Sequence, residues 1–436
     1  MSQPEASKQP TLVDAPEEDC RRSSAGQILH SLGPGIISGA ADDDPSGIAT
    51  YSVAGAQLGT SLLWTALLTW PLMAAVQMMC ARIGMASGRG LGGAFRQKFP
   101  RPVLILAIVA LLAANTINIG ADLAGMADAA QMLSGFSSHF WVLAFAVAIS
   151  WATVKLRYYQ IASTLKWLAL VLFAYVATAF VIHANWGEAL RHTFIPHIPQ
   201  GREGWAILVA ILGTTISPYL FFWQASQEVE EERAAGRNSR VKRMGATMQE
   251  LHVRTFDVGL GTLFSNLVMY FVIFTTAFTL HRNGMVNIQT SREAASALIP
   301  LAGKLAFTLY TLGIVGVGLL AIPTLTGSAA YAFAETFSWK HGLDKKLHQA
   351  KSFYGVILVS TLIAVVLDFA RINPVKALYF SAVINGLLAP FLLVGILIIA
   401  CDSHIMNGQP STMLSRVIVA ITIVVMFGAG IAMFIF

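Results

Sequence analysis

Charge is scarce in this sequence, and sulfur that could pair or ligate is scarcer. Asp, Glu, Lys and Arg make up 12% of the 436 residues, against roughly 25% in soluble globular domains, too little to coat a water-facing surface. Three cysteines, Cys20, Cys80 and Cys401, lie far apart, which excludes a disulfide framework and a thiolate zinc site. The ten histidines contain no HExxH and no clustered ligand spacing, so none is given a metal role, including His192 and His197 on an expected extracellular loop. There is no GxGD element, and the acidic run at Asp42–Asp44 lacks the later Asp that a diphosphate-binding motif needs, with Ser46 and Gly47 in its place. An intramembrane enzyme is therefore not expected. The first residues carry no short apolar core with a cleavage site, and 1–28 is expected to be a disordered cytoplasmic tail rather than a signal peptide.

What fills the space left by charge is apolar: 55% of the residues are hydrophobic and the mean hydropathy is +0.63. Apolar runs of bilayer-spanning length recur at 33–57, 61–83, 103–133, 139–155, 161–184, 205–227, 256–280, 305–333, 353–369, 375–400 and 417–436. The expectation is an all-α polytopic membrane protein of about 11 transmembrane helices, monomeric, in the lipid bilayer of the inner (plasma) membrane. Most of the 29 Lys and Arg fall on one set of connections if the N-terminus is cytoplasmic, as the positive-inside rule requires. That places the C-terminus outside the cytoplasm. Arg82, Arg89, Arg96, Lys98 and Arg101 crowd the second connection; Arg233, Arg237, Arg240, Lys242 and Arg243 crowd the sixth. Topology and anionic lipid account for this excess, and no nucleic-acid partner is expected.

Two apolar runs are broken at their middle, the first by "DDDPSG" at Asp42–Gly47 and the sixth by "GTTISPY" at Gly213–Tyr219. Proline removes a backbone donor and glycine tolerates unwinding, so each break frees polar backbone at membrane depth, where only protein, water or an ion can satisfy it. Paired breaks five helices apart are the mark of an inverted-repeat secondary transporter. Within a transporter domain at 29–436, repeat one is expected at about 29–185, repeat two at about 203–401, and an additional helix at about 414–436. Adjacent helical residues point about 100° apart, so at most two of Asp42, Asp43 and Asp44 share a cavity. Asp44, directly before Pro45, is best placed at the break; Asp42 and Asp43 are expected to line an entry or pair with a base. The carbonyl of Thr214 and the side chain of Ser217 lie three residues apart and can face the same point. Asn385, in an apolar run, completes the site or bonds to a neighbouring helix. Carboxylate, hydroxyl and carbonyl form an all-oxygen donor set suited to Mg²⁺, Ca²⁺ or Mn²⁺. The acidic run Glu228, Glu230, Glu231 and Glu232 is expected to be a solvated helix end.

The run "GPGIISGAADDDPSGIATYSVAGAQLGTSLLW" resembles the first helix and loop of the Nramp divalent-metal transporters, "GTTISPYLFFWQAS" resembles their sixth, and "TLTGSAAYAFAETF" their eighth. The resemblance implies a LeuT-like fold with two inverted five-helix repeats and broken helices 1 and 6, a divalent cation as cargo and no cofactor. It also implies a metal site on Asp44, Gly47, Thr214, Ser217 and Asn385, with Asp43, Tyr219, Gln224 and Asp122 as secondary candidates. Against the family pattern, Gly47 stands for the metal-binding Asn, Ser217 for the metal-binding Met, Tyr219 for the His after the proline, and Gln224 for a second His. Gly125 stands for the Glu of the third helix. Losing the thioether removes the preference for soft metals, and a wider site suits hydrated Mg²⁺, which dehydrates reluctantly. The expected reading is the Nramp-related magnesium branch, without proton coupling, although Asp122 and Asp128 remain available as relays. The alternatives are a proton-coupled Mn²⁺ or Fe²⁺ transporter and, more remotely, an organic-solute carrier.

Overall fold

The computed structural model describes residues 34–155, 170–369 and 372–436; the expected tail at 1–28 and the start of the fifth run lie outside them. The first broken run forms α1 (Pro34–Asp42) and α2 (Pro45–Leu58). After these come α3 (Trp64–Ser87), α4 (Leu91–Lys98), α5 (Arg101–Ser134), α6 (Ser138–Lys155), α7 (Phe173–Val181) and α8 (Trp186–Phe194). The second broken run forms α9 (Gly201–Thr215) and α10 (Pro218–Ala234), and α11 (Met248–Thr279), α12 (Ala306–Thr336), α13 (Lys351–Asp368), α14 (Pro374–Cys401) and α15 (Met413–Ile435) complete the chain. No strand occurs among the described residues.

Nine stretches among the described residues are long and apolar enough to cross a membrane. The two of the eleven expected runs that are missing have separate reasons. The first is cut into α1 and α2, neither of spanning length alone, and the fifth is described only in part.

Both breaks have the same local cause. A residue before proline is pushed out of the helical region, and Asp44 (φ −65°, ψ 170°) and Ser217 (φ −81°, ψ 135°) are extended, each followed by a proline opening the next helix. α1 and α2 both lie along α11, while α9 packs on α14, α10 on α3, and α5 on α12. Small residues permit these approaches: a Cβ on Gly39 would stand 2.2 Å from the Gly261 carbonyl oxygen, and one on Gly213 would stand 2.1 Å from that of Ala382. The two breaks are thereby held in the middle of the bundle.

Candidate functional site

Asp44 caps α2: its Oδ1 accepts from the Gly47 amide at 2.7 Å and from the Ser46 hydroxyl at 2.6 Å. Its Oδ2 accepts from Asn118 Nδ2 at 3.0 Å, and the same amide nitrogen lies 3.3 Å from Asp122 Oδ2. Asn118 on α5 thus bridges the carboxylate of the first break to the carboxylate one turn along its own helix. Asp42 and Asp43 turn the other way, toward α11, where Ser265 Oγ donates to Asp42 Oδ2 at 2.5 Å and lies 3.2 Å from Asp43 Oδ1. The four carboxylates therefore fall into two pairs, Asp44 with Asp122 about Asn118 and Asp42 with Asp43 about Ser265. Of the two roles expected for Asp42 and Asp43, lining an entry or pairing with a base, the second is not what the described residues show: the group facing both is the Ser265 hydroxyl.

All four are sealed, at 0–1% exposure. Among the described residues, no Lys, Arg or His forms an ion pair with any of them. Asp42 Oδ1, Asp43 Oδ2, Asp122 Oδ1 and Asn118 Oδ1 have no hydrogen-bond partner among the described residues. Bare carboxylate oxygens in a dry interior are unfavourable by several kcal/mol per ion even after relaxation, and at membrane depth such groups mark a cation or proton path.

The second break closes over the first. Tyr219 Oη donates to the Ala41 carbonyl at 2.8 Å, satisfying backbone freed at the end of α1, and Tyr51 Oη lies 3.3 Å from Thr215 Oγ1. Ser217 does not face the acids: its hydroxyl folds back onto the carbonyls of Gly213 at 2.8 Å and Thr214 at 2.6 Å, so the Thr214 carbonyl is engaged in this state. What Thr214 presents to the first break is its side chain, whose Oγ1 has no partner and stands 3.1 Å from where a Gly47 Cβ would be. Asn385 is buried on α14 beside the α9 contact, its Oδ1 unpartnered.

Gln224 belongs to a separate network. It accepts from Ser38 Oγ and donates to Glu228, each at 2.7 Å, and Glu228 pairs with Arg254 Nε at 2.8 Å. Arg254 also holds Glu231 and, at 2.7 Å, Asp257, whose Oδ2 accepts from the Gly35 amide. The expectation of a solvated acidic helix end is corrected here. Glu228 and Glu232 are buried; Arg254, far along the chain on α11, supplies the counter-charge to Glu228, and Arg237 lies 3.8 Å from Glu232.

A family model described as natural resistance-associated macrophage protein-like matches residues 35–436. The chain belongs to the Nramp family. It is 31% identical over 312 residues to a protein named divalent metal cation transporter MntH from Yersinia pestis, covering 69% of this chain and 71% of that one. In fold it resembles the Eremococcus coleocola manganese transporter, with a TM-score of 0.77 at 17% identity over 96% of this chain and 88% of that chain. More distantly it resembles the nucleobase-cation symporter Mhp1 in a closed conformation, with a TM-score of 0.53 at 15% identity over 88% of this chain and 83% of that one. The architecture is that of the LeuT-like transporters.

The departures from the Nramp signature can now be placed. Gly47 leaves less room than expected, since the Thr214 hydroxyl occupies part of the space an Asn would fill. Gly125 faces Leu378, whose Cδ1 would lie 2.7 Å from a Cβ there, so an apolar contact replaces the acid of the Nramp pattern. Asp128 is engaged by the Ser291 amide at 2.9 Å. Sequence reasoning missed Asn118 and Ser265. The signal for Asn118 was present: Asn115, Asn118 and Asp122 fall three and four residues apart in an otherwise apolar helix, one polar stripe on one face. It also missed two thioethers that the fold brings near the breaks. Met126, one turn beyond Asp122, lies with the Pro45 ring against Gly318, and Met269 Sδ is 3.6 Å from Thr215 Oγ1.

Proposed function

We propose that this Nramp chain carries a divalent metal cation, Mg²⁺ as its hydrated ion, across the plasma membrane without a coupled proton, its N-terminus in the cytoplasm. The observation that carries the reading is the set of four sealed carboxylates with no protein cation among the described residues. A positive charge from outside the chain is what such a set attracts. The groups around the break are carboxylate, amide, hydroxyl and carbonyl oxygens, and among the described residues no three His, Cys, Asp or Glu side chains gather on one point. Mg²⁺ binds through one or two carboxylates while keeping several waters, which suits Asp44 and Asp122 held apart by an amide. Movement of the ion would need Ser217 to release the Thr214 carbonyl and Asn118 to release one carboxylate, both by side-chain rotation.

Proton coupling needs a group that titrates near neutrality along the path. At the positions where the Nramp pattern supplies two His and a Glu, this chain has Tyr219, Gln224 and Gly125, the last packed by Leu378. The membrane potential alone supplies about 4.6 kcal/mol per 100 mV for a divalent ion, at about 2.3 per charge, enough for concentrative uptake. A second reading, Mn²⁺ with relocated soft ligands, is favoured by Met126 and Met269 near the breaks and by the names of the relatives.

The test of the site is Mg²⁺ uptake into proteoliposomes by wild type and Asp44→Ala. Loss of at least 90% of uptake by a variant that elutes and melts like wild type is expected. Retained uptake would remove Asp44 from the path.

A further inference from the structure

The two arginine-rich connections are far apart in sequence, and the fold brings them to one place. Arg89 and Arg96 from the end of α3 and from α4, Arg233 from the end of α10, and Arg240 and Arg243 from the loop beyond it line a single cavity of about 590 Å³. One carboxylate, Glu335 at the end of α12, shares the lining.

Lipid attraction and topology account for an excess of basic residues, but not for their convergence on one half-open cavity, where Arg243 is buried, Arg89, Arg233 and Arg240 are half-buried and Arg96 is exposed. Among the described residues Arg89, Arg96 and Arg240 form no ion pair, and Arg96 donates to the Ser338 hydroxyl. Arg243 is 7% exposed and spends its Nη1 on the carbonyls of Arg237 and Asn238, while the Nε atoms of Arg240 and Arg243 are buried without partners. The backbones are close enough to force these charges together: a Cβ on Gly88 would stand 3.1 Å from the Arg240 carbonyl and 3.2 Å from the Arg243 Cβ, and one on Gly93 would stand 3.3 Å from the Arg89 Cβ. Arg233 is paired with Glu230 at 2.6 Å. His341 at the rim adds no charge at neutral pH, since burial pushes its imidazole down to about 4. Glu335 is spent on the start of α4, where its Oε2 accepts from the Gly93 amide at 3.0 Å.

Five guanidiniums that share two carboxylates, Glu230 and Glu335, keep an excess of positive charge, and their forked donors match phosphate oxygens. We propose that this cavity is a binding site for a phosphate-bearing polyanion, either a soluble polyphosphate chain or the headgroup of an anionic phospholipid. Arg89 and Arg240 are its principal contacts, and Glu335 limits its affinity. The site is independent of the ion path: its lining includes none of the four sealed carboxylates. It joins α10, the second half of a broken helix, to α4 and the end of α12, so an occupant would bridge three elements.

The experiment uses the full chain in nanodiscs of neutral phosphatidylcholine, titrated with inorganic tripolyphosphate by calorimetry. A parallel sample purified from membranes in mild detergent is examined for retained phosphatidylglycerol by native mass spectrometry. Wild type is expected to take one tripolyphosphate per chain saturably, or to retain one phosphatidylglycerol that the double variant Arg89→Gln, Arg240→Gln loses. The first result identifies a soluble ligand and the second a lipid. In either arm the double variant should bind at least tenfold more weakly, Glu335→Gln severalfold more tightly, and Asp44→Ala like wild type. The gain in Glu335→Gln keeps the test decisive if the arginine variant folds poorly. Binding that is unsaturable, or unchanged in both the arginine and glutamate variants, overturns the proposal.

Discussion

The side-chain amide of Asn118 is shared by Asp44 and Asp122, and among the described residues its own oxygen is unpartnered. Hydrogen bonds to charged groups contribute about 1.5–3 kcal/mol each, so Asn118→Leu leaves two buried carboxylates without the side-chain amide they share. Mg²⁺ uptake should fall at least tenfold in rate, measured with a divalent-sensitive dye in proteoliposomes; an unchanged rate would mean that the bridge is incidental. Gly47 and Ser217 set selectivity in this account. The double change Gly47→Asn, Ser217→Met supplies an amide and a thioether and removes the hydroxyl that occupies the Thr214 carbonyl, while Thr214 Oγ1 must give way to the new side chain. The expected outcome is a shift in the Mn²⁺-to-Mg²⁺ uptake ratio toward Mn²⁺, and a constant ratio would remove both positions from the argument. Asp44 was legible from sequence because a carboxylate before proline at membrane depth has few uses. The Ser217 side chain was misplaced because its hydroxyl has two carbonyls of its own turn within reach, a local competition that residue spacing does not reveal.

At the scale of elements, α1, α10 and α11 are tied together by Arg254, which holds Glu228, Glu231 and Asp257, with Gly35 bonded to Asp257 and Ser38 to Gln224. Removing one partner of a buried ion pair is destabilising by about 3–5 kcal/mol, because the remaining charges stay buried. Arg254→Gln should therefore lower the thermal midpoint clearly in detergent, and it should raise proteolytic access to α1 at the same time. A midpoint equal to that of wild type would show that the cluster is solvated in the membrane. The broken helices were readable from two prolines with flexible neighbours. The acidic end of α10 was not, since its meaning depends on a partner on another helix, and periodicity within α10 carries no trace of Arg254.

Over the whole molecule, the arginine-lined cavity, the Arg254 cluster and the Lys98–Asp402 pair at 2.5 Å stand apart from a second polar group that includes Arg282–Glu188 at 2.8 Å and Thr60–His192 at 2.6 Å. The sealed carboxylates belong to neither group. In the sequence the basic residues stand in excess on alternate connections; the all-α membrane class followed from run length, and the LeuT-like fold from the paired breaks and the family resemblance. What no run length conveys is which connections meet. The claim on which the rest depends is the cargo and its coupling. The direct measurement is uptake of Mg²⁺ and of Mn²⁺, tested separately, into proteoliposomes with an imposed inside-negative potential and internal pH recorded throughout. Mg²⁺ entry that follows the potential and leaves internal pH unchanged is the predicted result. Entry of Mn²⁺ alone, with acidification, would contradict the account and make Met126 and Met269 the place to look for its ligands.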